Sequence, residues 1–340
     1  MVIGFHAYAR WPNLVPYGNQ YESLFSMGWL GVQLFFLISG FVILMTLEKC
    51  QDFKGFIFRR WLRLFPAMLF CSIIIFVSAE FFHERPAGPP SLISLAPGFL
   101  FIEPSWLKAV TGQPINPLEG AFWSLYVEAK FYFIAGILYF SRGHLRMLRV
   151  LLSLSVIGFA LQYLGENINH PYAKMLWKFA ETTSLKHFGW FAAGAAAYLY
   201  AKTKEKSWLI MACISSAYCS IFLCAPNLPA TLLALAVSGF FILALVYEWP
   251  KKILCNPFFQ FFGFISYPLY LSHENTMIAA IIKIGSLWPE LPGYLYPIIP
   301  IIGLSYFSYL CAKYVEPATR DALRNTLTKT YLLKKSQETI

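Results

Sequence analysis

The chain has 340 residues, of which 58% are hydrophobic, 18% aromatic and 13% charged, with a mean hydropathy of +0.55 and a formal net charge of +10. A soluble domain carries roughly 25% charged residues, and the apolar residues here arrive in long runs instead of a helical stripe, which excludes a water-soluble globular protein. The basic excess is dispersed among loops, which argues against nucleic-acid binding; topology and anionic lipid headgroups absorb it.

A membrane-spanning helix needs about 20 apolar residues. In chain order such runs fall at 29–47, 64–82, 121–140, 148–165, 185–201, 208–224, 229–247, 258–282 and 294–312. Met1 to Ala9 is apolar but too short to cross, reaching about half a bilayer at roughly 1.5 Å per residue, and reads as the back end of a tenth helix that starts ahead of Met1. The expected fold is an all-α polytopic transmembrane bundle of about ten helices with the first one N-terminally truncated. Residues 1–316 form the transmembrane domain, and 317–340 a basic tail.

Lys and Arg accumulate in short cytoplasmic loops. Taken on alternate sides of these spans, nineteen basic residues fall in one set of loops and seven in the other, with Lys130 inside a span. The majority side holds the C-terminus, which is therefore expected in the cytoplasm, with 10–28 and 83–120 outside. The 83–120 segment is rich in Pro and Gly and long enough to fold over the outer mouth as a lid or re-entrant element. The seven cysteines form no CxxC or Cys/His pattern and read as buried small hydrophobes, so no metal site is expected. No secretory signal is visible in the first residues.

Ionisable groups inside spans are costly and face a bundle interior or a water-filled cavity. Three places have them: His6, the pair Glu128 and Lys130, and the run Ser272-His273-Glu274-Asn275. Ser124 and Glu128 share a helix face at i, i+4, while Lys130 points elsewhere, so the two charges cannot neutralise each other within one helix. Each can pair with a neighbouring helix, or Glu128 can orient a catalytic group. Ser266, Tyr270 and His273 fall on one helical stripe beside Pro268, a source of a kink. That stripe can line a cavity, or His273 can bond a neighbouring helix. Glu274 lies about 100° around from His273, which leaves its direction open.

Six blocks occur in order: Phe5-His6; Gly31-Val-Gln-Leu-Phe-Phe-Leu-Ile-Ser-Gly-Phe-Val-Ile43; Phe58-Arg-Arg-Trp-Leu-Arg-Leu-Phe-Pro66; Phe122-Trp-Ser-Leu-Tyr-Val-Glu128; Ser266-Tyr-Pro-Leu-Tyr-Leu-Ser-His273; and Tyr314-Val-Glu-Pro317. They resemble the blocks of the bacterial membrane-bound acyltransferase 3 family, over essentially the whole chain. Each block alone is permissive; their order and topology carry the resemblance. It implies an O-acyltransferase of the bacterial inner (cytoplasmic) membrane that modifies lipopolysaccharide O-antigens, exopolysaccharides or related glycans. The donor would be acyl-CoA, with acetyl the commonest group, used as a substrate and not as a bound cofactor. The acceptor would be a cell-surface or lipid-linked saccharide.

The resemblance also implies roles. Acyl transfer to a hydroxyl needs a base, and imidazole has a suitable pKa near neutrality. His6 matches the family's histidine and takes that part, Glu128 orients it as a carboxylate does in a triad, and a covalent acyl-histidine route is the variant. Arg60 and Arg63, at i, i+3 on one helix face, match the family's arginine pair and suit CoA phosphates; plain anchoring at a cytoplasmic helix end is the alternative. A cavity lined by His6, Glu128, Ser266, Tyr270 and His273, with Ser124 beside Glu128, would let a cytoplasmic thioester meet an outer hydroxyl.

The family's first block sets an arginine eleven positions ahead of its histidine, which falls before Met1. The expectation is therefore double: a start further upstream and an active enzyme, or a truncated, catalytically inactive homologue. A secondary transporter or flippase would also use intramembrane His, Glu and Arg, but would show internal repeats and paired broken helices.

Overall fold

The computed structural model describes residues 1–337, with side chains to residue 326; the last three residues of the basic tail, and the side chains of Lys329, Lys334 and Lys335, lie outside the described residues. The described chain is helical and without strands. In order it forms α1 (Val2–Tyr8), α2 (Gly31–Glu48), α3 (Phe53–Ser78), α4 (Pro104–Thr111), α5 (Trp123–Asn167), α6 (Pro171–Thr182), α7 (Phe188–Thr203), α8 (Lys206–Cys224), α9 (Leu228–Val246), α10 (Pro257–Ser272), α11 (Glu274–Leu287), α12 (Ile298–Leu310) and α13 (Glu316–Gln337), joined by short helical turns. Lipid offers no partner for a backbone N–H or C=O, so apolar runs of this length can only be helical.

Among the described residues, six helical stretches are long and apolar enough to cross a membrane: Glu22–Glu48, Phe53–Ser78, Gly120–Asn167, Lys206–Cys224, Leu228–Val246 and Gly293–Thr326. Two expected spans, 121–140 and 148–165, lie within Gly120–Asn167. Gly143, at φ 76° and ψ 177°, breaks the helix between them, a conformation closed to residues with a Cβ. The expected span 185–201 corresponds to α7, 16 residues long. The expected span 258–282 is two helices, α10 and α11, which meet at His273.

The chain divides into two compact units. The first comprises Met1–Arg10, Tyr21–Ile57 and Trp123–Pro257. Its core is the crossing of α2 with α7. A Cβ on Gly40 would lie 2.1 Å from the carbonyl oxygen of Phe191, and one on Gly194 would lie 1.9 Å from that of Leu37, so only glycine allows the backbones to come this close. Around the crossing Phe36, Phe131, Phe188 and Phe191 are completely buried, with Phe131 stacked on Phe191 at 3.9 Å between centroids.

The second unit comprises Trp11–Gln20, Phe58–Phe122 and Phe258 onward. Here the Tyr267 hydroxyl donates to the Leu64 carbonyl at 2.9 Å, and Phe70 stacks on Phe307. The Pro- and Gly-rich 83–120 segment is folded within this unit. A Ser91–Ser94 capping box starts its first helical turn, and Gly98 packs against Met68 and Ser72 of α3.

Candidate functional site

In the first unit, α1 carries His6 in its last turn, where the ring is buried beside Phe5. The N-terminal half of α5 carries Ser124 and Glu128 on one buried face, at 0% and 3% exposure. Glu128 has a partner from another helix. The hydroxyl of Ser39 on α2 donates to its Oε1 at 2.5 Å. Ser39 precedes Gly40, so the close helix crossing sets the position of this donor.

Lys130, two residues along from Glu128, turns away as its helical phase requires. Its ammonium donates to the Thr182 carbonyl at 2.6 Å and the Ser184 hydroxyl at 2.9 Å. Ser184 has a left-handed backbone, φ 63°, and Thr182 ends α6, so the lysine satisfies a helix C-terminus where a cation is favoured. A further buried histidine, His187, sits between Phe36 and Trp123 at 5.3 and 5.4 Å between centroids.

The second unit holds the other site residues. Ser266 is exposed and donates to the Gly263 carbonyl of its own helix. Tyr270, one turn on, is half-buried and donates to the Ala121 carbonyl at 2.6 Å. His273 is completely buried at the α10–α11 break, with Nδ1 2.9 Å from the Tyr270 carbonyl. A carbonyl only accepts, so Nδ1 carries the proton and Nε2 the lone pair of the neutral ring. Of the three residues expected to line one cavity, Ser266 lies on an exposed surface, Tyr270 is half-buried and His273 is enclosed.

Glu274 and Asn275, which open α11, belong to a buried polar cluster that also includes Arg85 and Glu119. The Ala121 N–H donates to Glu274 Oε2, and both carboxylate oxygens would lie 2.9 Å from a Cβ on Gly120. Asn275 donates to Glu119 Oε2 from its backbone N–H at 2.9 Å and its side-chain amide at 2.7 Å, and accepts from the Ala87 N–H at 3.0 Å. Arg85 donates to the Leu118 carbonyl at 2.7 Å and lies 3.9 Å from Glu119 Oε1. Burial, reinforced by Glu274, pushes the Glu119 carboxyl up to about 8 against the pull of Arg85 and Asn275. Burial likewise lowers the Arg85 guanidinium, which Glu119 opposes.

Arg63 of α3 is half-exposed and ion-paired with Glu316 at 2.5 Å, its guanidinium 5.4 Å from the Tyr267 ring centroid. Arg60, one turn earlier, is half-buried. Two of the recognised blocks, Phe58 to Pro66 and Tyr314 to Pro317, therefore meet through one arginine and one glutamate.

Sequence reasoning missed Ser39, Arg85, Glu119 and His187. A serine in an apolar helix and charges beside a loop are ordinary, so the first three carried no signal. His187 was a lone histidine at a span edge.

Comparison with known proteins bears on these residues together. The O-acetyl transferase of Shigella phage Sf6 is 28% identical over 222 residues, 61% of this chain, and the chain spans 60% of that protein's length. The ORF330 protein of Acidianus two-tailed virus, whose name proposes an acetyltransferase, is 26% identical over 261 residues, 74% of each chain. No solved structure matches. Residues 1–312, which contain His6, Arg60, Arg63, Ser124, Glu128, Ser266, Tyr270 and His273, match the model described as an acyltransferase domain, and the chain belongs to the acyltransferase 3 family of helical membrane proteins.

Proposed function

We propose that this protein is a membrane O-acyltransferase that moves an acyl group, acetyl foremost, from acyl-CoA to a hydroxyl of a cell-surface or lipid-linked glycan. The observation that carries the reading is the match of an acyltransferase domain to residues 1–312, which takes in all the polar residues expected of the site. Similarity to a protein named O-acetyl transferase supports oxygen as the acceptor atom and acetyl as the group.

In this reading the acceptor oxygen attacks the thioester carbonyl carbon, the C–O bond forms and the C–S bond breaks. The hydroxyl proton passes to the His6 imidazole and from there to the departing thiolate. Glu128, held by Ser39, orients the imidazole and balances its transient charge. Arg60 and Arg63 bind the CoA phosphates, Arg63 exchanging Glu316 for phosphate oxygen. His273 and Tyr270 line the acceptor side, while Ser266, exposed and bonded to its own helix, is left out of it. The excess of basic residues on one side of the spans favours a cytoplasmic C-terminus, and the location we propose with it is the bacterial inner membrane.

The test is transfer of isotope-labelled acetyl from acetyl-CoA to surface glycan in membranes of the expressing host, read by mass spectrometry of the glycan. Glycan acetylation that depends on the chain and is lost in His6→Ala and Glu128→Gln is expected. An unchanged glycan with and without the chain would overturn the assignment for that host.

A further inference from the structure

Gln33 is the one side-chain amide of α2, and Leu30, Leu34 and Leu37 surround it on its face of the helix. It is 4% exposed, and its Oε1 has no hydrogen-bond partner among the described residues. Trp190 of α7 lines the same cavity. It is 1% exposed, and its Nε1 is likewise without a partner there.

Ser238 of α9 closes the third side, among Ala234 and Val237. Its hydroxyl is buried and donates to the Ala234 carbonyl at 2.8 Å, so its proton is engaged and its oxygen lone pairs remain to accept. The junction of α2, α7 and α9 therefore holds one donor, on Trp190, and two acceptors, on Gln33 and Ser238, in a wall that is otherwise hydrocarbon.

Buried polar atoms are satisfied by the protein or by ordered water, and leaving them unmatched is costly. Two arguments select the occupant. The cavity has a volume of about 10 Å³, about the least that holds one water and too little for an acyl group or a lipid tail. Its polar groups also match the valences of water: an anion would meet the Gln33 oxygen, and a cation the Trp190 N–H.

We propose that the α2–α7–α9 junction is a binding site for one structural water, which accepts from Trp190 Nε1 and donates to Gln33 Oε1 and Ser238 Oγ. Three bonds are the usual complement of a buried water. The site lies on the helix pair that crosses at Gly40 and Gly194 without clearance. Near the first turns of both helices α9 lines the space beside that pair, and the water completes the seam. The inference is independent of the acyl-transfer reading.

The test is a high-resolution crystal structure of the full chain. Density for one water about 2.7–3.2 Å from Gln33 Oε1, Trp190 Nε1 and Ser238 Oγ is expected. No density there, or a bond made directly between Gln33 and Trp190, overturns the proposal. In lipid bilayers, solid-state NMR that transfers magnetisation from water to isotope-labelled indoles should reach the Trp190 N–H, identified by its loss in Trp190→Phe. Gln33→Leu and Ser238→Ala each remove one acceptor of the water and should cut that transfer about threefold or more. Ser238→Ala loses a single hydroxyl and serves where Gln33→Leu does not fold. No transfer in the unsubstituted chain, or transfer unchanged by the variants, would remove the site.

Discussion

The Ser39 hydroxyl donates to the Glu128 carboxyl across 89 positions of sequence, joining α2 to α5 inside the first unit. A buried hydrogen bond to a carboxylate contributes about 1.5–3 kcal/mol. If that bond orients Glu128 for proton transfer, Ser39→Ala lowers kcat about tenfold or more and leaves KM for acyl-CoA little changed. Initial rates in membranes, normalised to the folded protein, check this; an unchanged kcat would reduce the bond to helix packing.

The Arg63–Glu316 pair predicts a different split. The pair is partly exposed, so Glu316→Gln shifts stability by no more than about 1 kcal/mol. It frees Arg63 for phosphate and should lower KM for acyl-CoA, whereas Arg63→Gln should raise it. Titrating acyl-CoA in initial-rate assays distinguishes the two, and equal KM values would leave Arg63 as a helix-end anchor.

Glu119 predicts a pH dependence of stability. Its carboxyl is raised from 4.5 to about 8, so the folded chain holds the proton more tightly than the unfolded chain does. The associated stability is fully present below about 4.5 and is lost as pH rises through about 8. Glu119→Gln keeps the site neutral and should flatten the fall in melting temperature between about pH 4.5 and about pH 8. Parallel curves for the two proteins would contradict this.

Removing the cation of the same cluster is the harsher change. Arg85→Leu leaves the Glu119 carboxyl without its positive neighbour and the Leu118 carbonyl without its donor. Leaving a buried acceptor without its donor costs about 1–3 kcal/mol. Loss of monodisperse protein on detergent extraction is expected, with partial recovery in the Arg85→Leu, Glu119→Leu double variant.

Gly120 carries the sterics of that cluster. A methyl there would meet both oxygens of Glu274 at 2.9 Å, and the carboxylate is held by the Ala121 N–H. Gly120→Ala should destabilise by about 1–3 kcal/mol, read as a lower melting temperature, while Gly263→Ala, with open space around it, should not.

How much of this could be read in the sequence follows from what apolarity measures. Runs of lipid-soluble residues located the helices, and a carboxylate inside one, Glu128, marked itself by its cost. Apolarity does not report whether a helix is continuous. The 258–282 run is apolar but for a few polar residues, Ser272 to Asn275 foremost; Pro268 suggested a bend within it, and the break falls five residues later at His273. Nor does it report partners. That Lys130 would find the end of α6 depended on a left-handed turn at Ser184, which no pattern signals. The Arg85–Glu119–Glu274–Asn275 cluster stayed hidden because two members lie beside a Pro-rich loop, where charges are expected to be solvated, and only the fold of 83–120 buries them. The six blocks identified the family because each is a stretch of sequence; their pairing, Arg63 with Glu316, is a matter of space.

Gly40 and Gly194 hold a further consequence. With each glycine's missing Cβ replaced by a neighbouring carbonyl oxygen, α2 and α7 have no clearance along which to slide. Any shift of the helices in this unit must be borne by the others, with this crossing as the fixed post. Ser39 is bolted to that post, one residue away, so the carboxyl it grips is held in register with both helices.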